Sequence, residues 1–148
     1  MWAKPFDSLG SLNEAAAALP GAPHLVLMFG DTAGLRQHAF STALAERWPQ
    51  AAQLACSTGT TVCGAKLMDN GFSALVMGFD RTRVAVQIET IARPEDSRAI
   101  GQALGRRLAA PDLAGIHLMT DGLVVNGSAL IHGLQDVGIH PAGAALPG

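Results

Sequence analysis

A run of apolar residues, Leu25-Val26-Leu27-Met28-Phe29, stands between the breakers Pro20, Gly21 and Pro23 and the glycine at 30. Such a run fits a strand buried on both faces, because a strand with one wet face alternates polar with apolar. Helical patterns flank it. Asp31-Thr32 offers a cap, and Leu35, Ala39 and Ala43 recur every four residues beside Phe40, Leu44 and Trp48, giving one broad apolar stripe that Pro49 closes. Upstream, Ser11 and Glu14 stand three apart as a capping box requires, which predicts a short helix through Ala18. Residues 1–10 read as an arm.

Further along, Gln53-Leu54-Ala55 reads as a short strand and Phe72 to Phe79 as a second apolar strand. Asp80-Arg81-Thr82 then turns the chain, and Val84, Val86 and Ile88 alternate with Arg83, Gln87 and Glu89, the pattern of a hairpin with one wet face. Pro94, Glu95 and Asp96 place proline and acid in a first helical turn. Ile100, Leu104 and Leu108 mark that helix's apolar face, and Arg106-Arg107 lie where the helix dipole favours cations. Gly115 to Met119 reads as another buried strand, and a last helix from about Ser128 carries Leu130, Ile131 and Leu134 inward. Strands alternating with helices, interrupted by one hairpin, predict an α/β layered domain with a mixed β-sheet flanked by helices. The predicted organisation is an arm and short helix over 1–23 and an α/β domain over 24–148.

Composition narrows the function. The chain has 148 residues, 49% of them hydrophobic and only 15% charged, against about 25% in an ordinary soluble domain. That excludes intrinsic disorder. Ten Lys and Arg against twelve Asp and Glu leave a net charge of −2 with no polybasic run, which argues against nucleic-acid and anionic-membrane partners. No apolar stretch approaches the roughly 20 residues that cross a bilayer, and the N-terminus has no secretory-signal pattern, so the expected location is the cytoplasm. A mean hydropathy of +0.26 and so bland a surface fit a chain partly covered by a partner or a second copy.

Two polar segments each follow a predicted strand. Cys56-Ser57-Thr58-Gly59-Thr60 offers backbone amides and hydroxyls at a strand's C-terminal end, where open α/β sheets place their ligands. It lacks a P-loop's lysine and glycine count. Asp121-Gly122 follows the strand at 115–119 and places a carboxylate at its end, and Asn126-Gly127 opens the last helix as a cap or an amide donor. The same dipeptides are ordinary turn formers, so a purely structural role stays open for both segments. Cys56 and Cys63 read as free thiols; a nucleophilic Cys56 would need an imidazole from His24, His38, His117, His132 or His140. A haem would need one axial imidazole and an apolar slot.

Taken together, Leu25 to Phe29, the turn Cys56-Ser57-Thr58-Gly59 after a segment rich in proline and alanine, and the string Asp121-Gly122 through Asn126-Gly127 to Gly133-Leu134 resemble, in this order, the N-terminal part of a FIST domain, a sensory input module of bacterial signalling proteins. Ala55 stands where the family usually has glycine before the cysteine, and residues 142–148 follow the family's next motif only loosely. The resemblance runs from about His24 to the C-terminus and implies a domain truncated relative to the family. It further implies a non-catalytic module that binds a small molecule such as an amino acid and signals to a kinase, cyclase or chemotaxis receptor, without a bound cofactor. Some relatives imply haem and nitric oxide instead, for which His132 is the residue considered. The alternatives are an interaction module or homodimer without ligand, and a thiol-nucleophile enzyme at Cys56.

Overall fold

The computed structural model describes residues 1–36, 39–69 and 71–139, and the chain divides into two compact units, Met1–Val84 and Ala85–Gly148. His38, His140 and the motif at 142–148 lie outside the described residues, as do the side chains of Ala39 and Phe40. The fold is α/β with a mixed sheet, as the sequence predicts.

The first unit is built on the apolar run. Strands β1 (Trp2–Phe6), β2 (Leu25–Gly30), β3 (Ala52–Ser57) and β6 (Phe72–Gly78) form a four-stranded sheet in the order β1-β6-β2-β3. β2 runs parallel to β3 and antiparallel to β6, which is antiparallel to β1. The parallel pair is joined through helices α2 (Thr32–Arg36) and α3 (Ala39–Arg47), the long crossover that parallel strands require. Period-two geometry puts Val26, Met28, Ala74 and Val76 on one face. They meet Phe6, Leu44 of α3 and Leu12 of helix α1 (Leu9–Ala16) in one buried cluster. Each fully buried Leu or Val there contributes about 1.5–3 kcal/mol. Leu27, on the opposite face, is also buried.

Three readings of this unit change. The predicted arm contains β1, because Trp2 to Phe6 pair in register with Gly78 to Ala74 and Phe6 enters the core. The N-cap of α1 is Ser8 rather than Ser11: the Ser8 hydroxyl accepts the Ser11 N–H at 3.1 Å and its carbonyl accepts the Leu12 N–H at 3.1 Å. Third, β6 makes no hairpin with residues 84–89; its partners are β1 and β2. A hairpin does follow the Cys56–Thr60 turn, between β4 (Thr60–Cys63) and β5 (Lys66–Asp69), turning at Gly64 with φ +61°, a conformation glycine adopts without strain.

The second unit is a helix pair, α4 (Ser97–Leu108), entered through a short 3-10 turn at Pro94–Asp96, and α5 (Gly127–Asp136). Leu104, Leu130 and Leu134 are its buried centre, with Ile100, Ile116, Leu118, Val125 and Ile139 packed around them. Glycines permit the close crossing: a Cβ at Gly133 would collide with the Arg98 carbonyl oxygen, and one at Gly101 with the Leu130 carbonyl oxygen. Residues 84–91 and 114–120 form no strand. At 115–119, read in the sequence as a buried strand, Ile116 and Leu118 turn inward around an exposed His117. Among the described residues no backbone hydrogen bond reaches either segment, so the side-chain pattern is present without a ladder.

Candidate functional site

The two polar turns fall in different units and are built differently. In the first unit, parallel pairing brings the ends of β2 and β3 level, with Gly30 opposite Ser57. The Thr58 N–H donates to the Gly30 carbonyl at 2.8 Å, which ties the Cys56–Thr60 turn to the point where the chain leaves β2 for Asp31. The Thr58 hydroxyl donates to the Thr60 carbonyl at 3.0 Å, and the Thr60 hydroxyl to Asp69 Oδ1 at 3.2 Å. The first is engaged within the turn and the second with β5. The Ser57 side chain and Gly59 are exposed at the strand end, and no hydrogen bond within the described residues occupies the Ser57 hydroxyl. Cys56 is half-buried, and its Sγ lies 3.6 Å from the Ser57 carbonyl oxygen as its hydrogen-bond partner; neither cysteine is in a disulfide.

In the second unit the turn spends its polar groups on itself. Asp121 Oδ1 accepts the Leu123 N–H at 2.8 Å, and the Asp121 carbonyl accepts the Val125 N–H at 3.0 Å. Asn126 caps α5 by accepting the Ala129 N–H on Oδ1 at 3.0 Å, the cap role the sequence offers. Its own N–H donates at 3.0 Å to the hydroxyl of Ser97, which in turn donates to the Pro94 carbonyl at 2.7 Å. Ser97 is fully buried and pins the turn to the start of α4. At the C-terminal end of α5, Arg98 makes two bonds to Asp136 at 2.8 and 2.9 Å and Gln102 adds a third at 2.9 Å. These bonds, the arginine's foremost, hold the Asp136 carboxyl down to about 2.

Three further residues support the two turns. Gly30 and Asp31 reach the Cys56–Thr60 turn only through the parallel pairing of β2 with β3, a long-range contact with no local signature in sequence. Ser97 had a weak local signal: it follows Pro-Glu-Asp at a helix start, where hydroxyls are common.

The described histidines, His24, His117 and His132, are dispersed. His24 and His117 are exposed, and His132 lies exposed on α5, lining an open depression of about 360 Å³ with Gly127, Ser128, Ile131 and Gln135. Ile131 is the sole large apolar side chain in that lining, so these residues do not fit the apolar slot that a haem needs. Among the described residues no group of three or more His, Cys, Asp and Glu side chains could hold a metal ion, and no helix is long and apolar enough to cross a membrane.

Compared with known families, residues 24–145 match the FIST N domain. No curated protein and no solved structure matches the chain.

Proposed function

The chain belongs to the FIST N domain family, a sensory-type family, and from that premise we propose that it binds a small polar ligand without catalysing its conversion. The observation that carries this reading is the level ending of β2 and β3. It sets the exposed Ser57 hydroxyl and Gly59 beside Gly30 and Asp31 at the C-terminal edge of a parallel pair, where open α/β sheets bind their ligands. Cys56, Ser57, Thr58, Gly59 and Thr60 are the residues proposed to surround the ligand, with Ser57 supplying the hydrogen bond. An amino acid or short carboxylate matches that chemistry, since hydroxyls and backbone amides bind such an anion without a cationic side chain.

The Asp121, Gly122, Asn126 and Gly127 turn of the second unit is a separate candidate to be tested by itself, because its oxygens already serve Leu123 and Ala129. Among the described residues the hydrogen-bond partner of Cys56 is the neighbouring Ser57 carbonyl, and the non-catalytic role is proposed on family membership. The signalling output, a kinase, cyclase or chemotaxis receptor in a bacterial cytoplasm, is proposed on family membership alone.

The test is a thermal-shift screen of the full chain against the free amino acids and short carboxylates, followed by titration of any hit into Ser57→Ala. A bound ligand raises the melting temperature by mass action. Losing the hydroxyl's bond to a charged ligand should weaken binding about tenfold. An unchanged affinity in Ser57→Ala would remove the β2–β3 edge as the site.

A further inference from the structure

Both donors of Thr58 are occupied, and they reach different parts of the first unit. The backbone N–H donates to the Gly30 carbonyl at the end of β2, at 2.8 Å. The hydroxyl donates to the Thr60 carbonyl at the start of β4, at 3.0 Å. One residue thus bridges the sheet to the hairpin, and it stands between Ser57 and Gly59, both exposed. Thr58 itself is half-buried, and a β-branched side chain is stiff at χ1, so its hydroxyl is held towards one acceptor.

The far end of the bridge is anchored. Thr60 faces Asp69 across the β4–β5 ladder, and its hydroxyl donates to Asp69 Oδ1 at 3.2 Å. Next to this pair Thr61 is buried beside Gly71, where a Cβ would collide with the Met68 Cβ and come within 3.0 Å of the Thr61 hydroxyl. The Gly71 carbonyl in turn lies 3.4 Å from the place a Cβ on Gly30 would take. The contacts therefore close a circuit, from Gly30 through Thr58 and Thr60 to the hairpin and back through Gly71 to Gly30. Ser57 lies within that circuit, its hydroxyl in no hydrogen bond among the described residues.

We propose that Thr58 is the positioning residue of the ligand site: it donates no hydrogen bond to the ligand, and its two bonds fix where the neighbouring Ser57 hydroxyl stands. This rests on the β2–β3 edge being the site. A hydroxyl on a loose turn must be ordered when the ligand binds, which weakens affinity, and a brace already in place removes that cost. Thr58 thus works through Ser57. Two residues that act through one contact are coupled, so the effects of changing them do not add. Asp69 serves the same end at one remove, as the acceptor that steadies Thr60.

The experiment titrates acetate, a short carboxylate, into the full chain and follows the Ser57 and Gly59 amides by nuclear magnetic resonance. Thr58→Val removes the hydroxyl and keeps the shape, whereas Thr58→Ser keeps the hydroxyl. The expected result is binding about fivefold weaker in Thr58→Val, the worth of one hydrogen bond, and close to wild type in Thr58→Ser. Adding Thr58→Val to Ser57→Ala should cause no further loss at the Gly59 amide. Full affinity in Thr58→Val beside weakened binding in Ser57→Ala would overturn the brace and leave the site standing. Losses that add in the double variant would also overturn it, because Thr58 would then be an independent contact. Acetate that moves neither amide in wild type removes the site and the brace together. If Thr58→Val does not fold, the exposed far end decides: Asp69→Ala and Asp69→Asn both lose the charge, and only the second keeps an acceptor for Thr60. Binding should be weaker in Asp69→Ala than in Asp69→Asn, and equal affinities would overturn the proposal.

Discussion

The Cys56–Thr60 turn and the Asp121–Gly127 turn look alike in sequence, each a glycine-containing polar string after an apolar run, yet they use their polar atoms in opposite ways. The second is closed: Asp121, Asn126 and Ser97 satisfy Leu123, Ala129, Pro94 and one another. The first is closed on one side only, through Thr58 and Thr60, and leaves the Ser57 hydroxyl at the level end of two parallel strands. Hydrogen-bonding capacity already spent on the fold contributes to stability, whereas capacity left at an exposed strand end is available to a ligand. The difference predicts that substitutions in the second turn and its supports register in stability, and substitutions at Ser57 register in binding.

The largest effect should come from the helix crossing under the second turn. Gly133→Ala drives a Cβ into the Arg98 carbonyl, and backbone cannot yield as a side-chain end does. Chemical denaturation should show a loss of about 3 kcal/mol. A neutral result would mean that the crossing is looser than the structure has it. Next is Ser97→Ala, which takes the hydroxyl acceptor from the Asn126 N–H and leaves the Pro94 carbonyl the Ser97 backbone N–H alone. The same measurement should show about 2 kcal/mol lost.

Asn126→Ala should cost about 1 kcal/mol as a lost cap, while Ser57→Ala should change stability by less than about 0.5 kcal/mol. Equal costs for the two alanines would erase the distinction between the turns. The smallest effect concerns pH. The Asp136 carboxyl ionises at about 2 in the fold, below its ordinary 3.8. The stability it lends is complete above the ordinary value and is lost as pH falls through about 2. Asp136→Asn should therefore be slightly less stable than wild type above about pH 4, slightly because the pair is solvent-exposed, and the two should converge as pH falls towards about 2.

How far the sequence discloses all this depends on the range of the contacts involved. The Leu25–Phe29 strand, the Asn126 cap and helix α4 are legible because apolar periodicity and caps act within a few residues. β1 was hidden because Lys4 and Pro5 suit an edge strand as well as a loose arm, and only pairing with β6 tells the two apart. The alternation at residues 84–88 is visible, but alternation reports which face is dry and not whether a neighbour completes the ladder. For the same reason the Cys56–Thr60 turn could be picked out, whereas its neighbours Gly30 and Asp31 could not: register between parallel strands is set by the whole sheet.

The most direct test of the central claim, that the β2–β3 edge is where this domain meets its ligand, is a calorimetric titration of one hit from the amino-acid and carboxylate screen into wild type, Ser57→Ala and Asp121→Ala side by side. The account predicts binding about tenfold weaker in Ser57→Ala and a larger loss there than in Asp121→Ala. Full affinity in Ser57→Ala with binding abolished in Asp121→Ala would contradict it and move the site to the second turn.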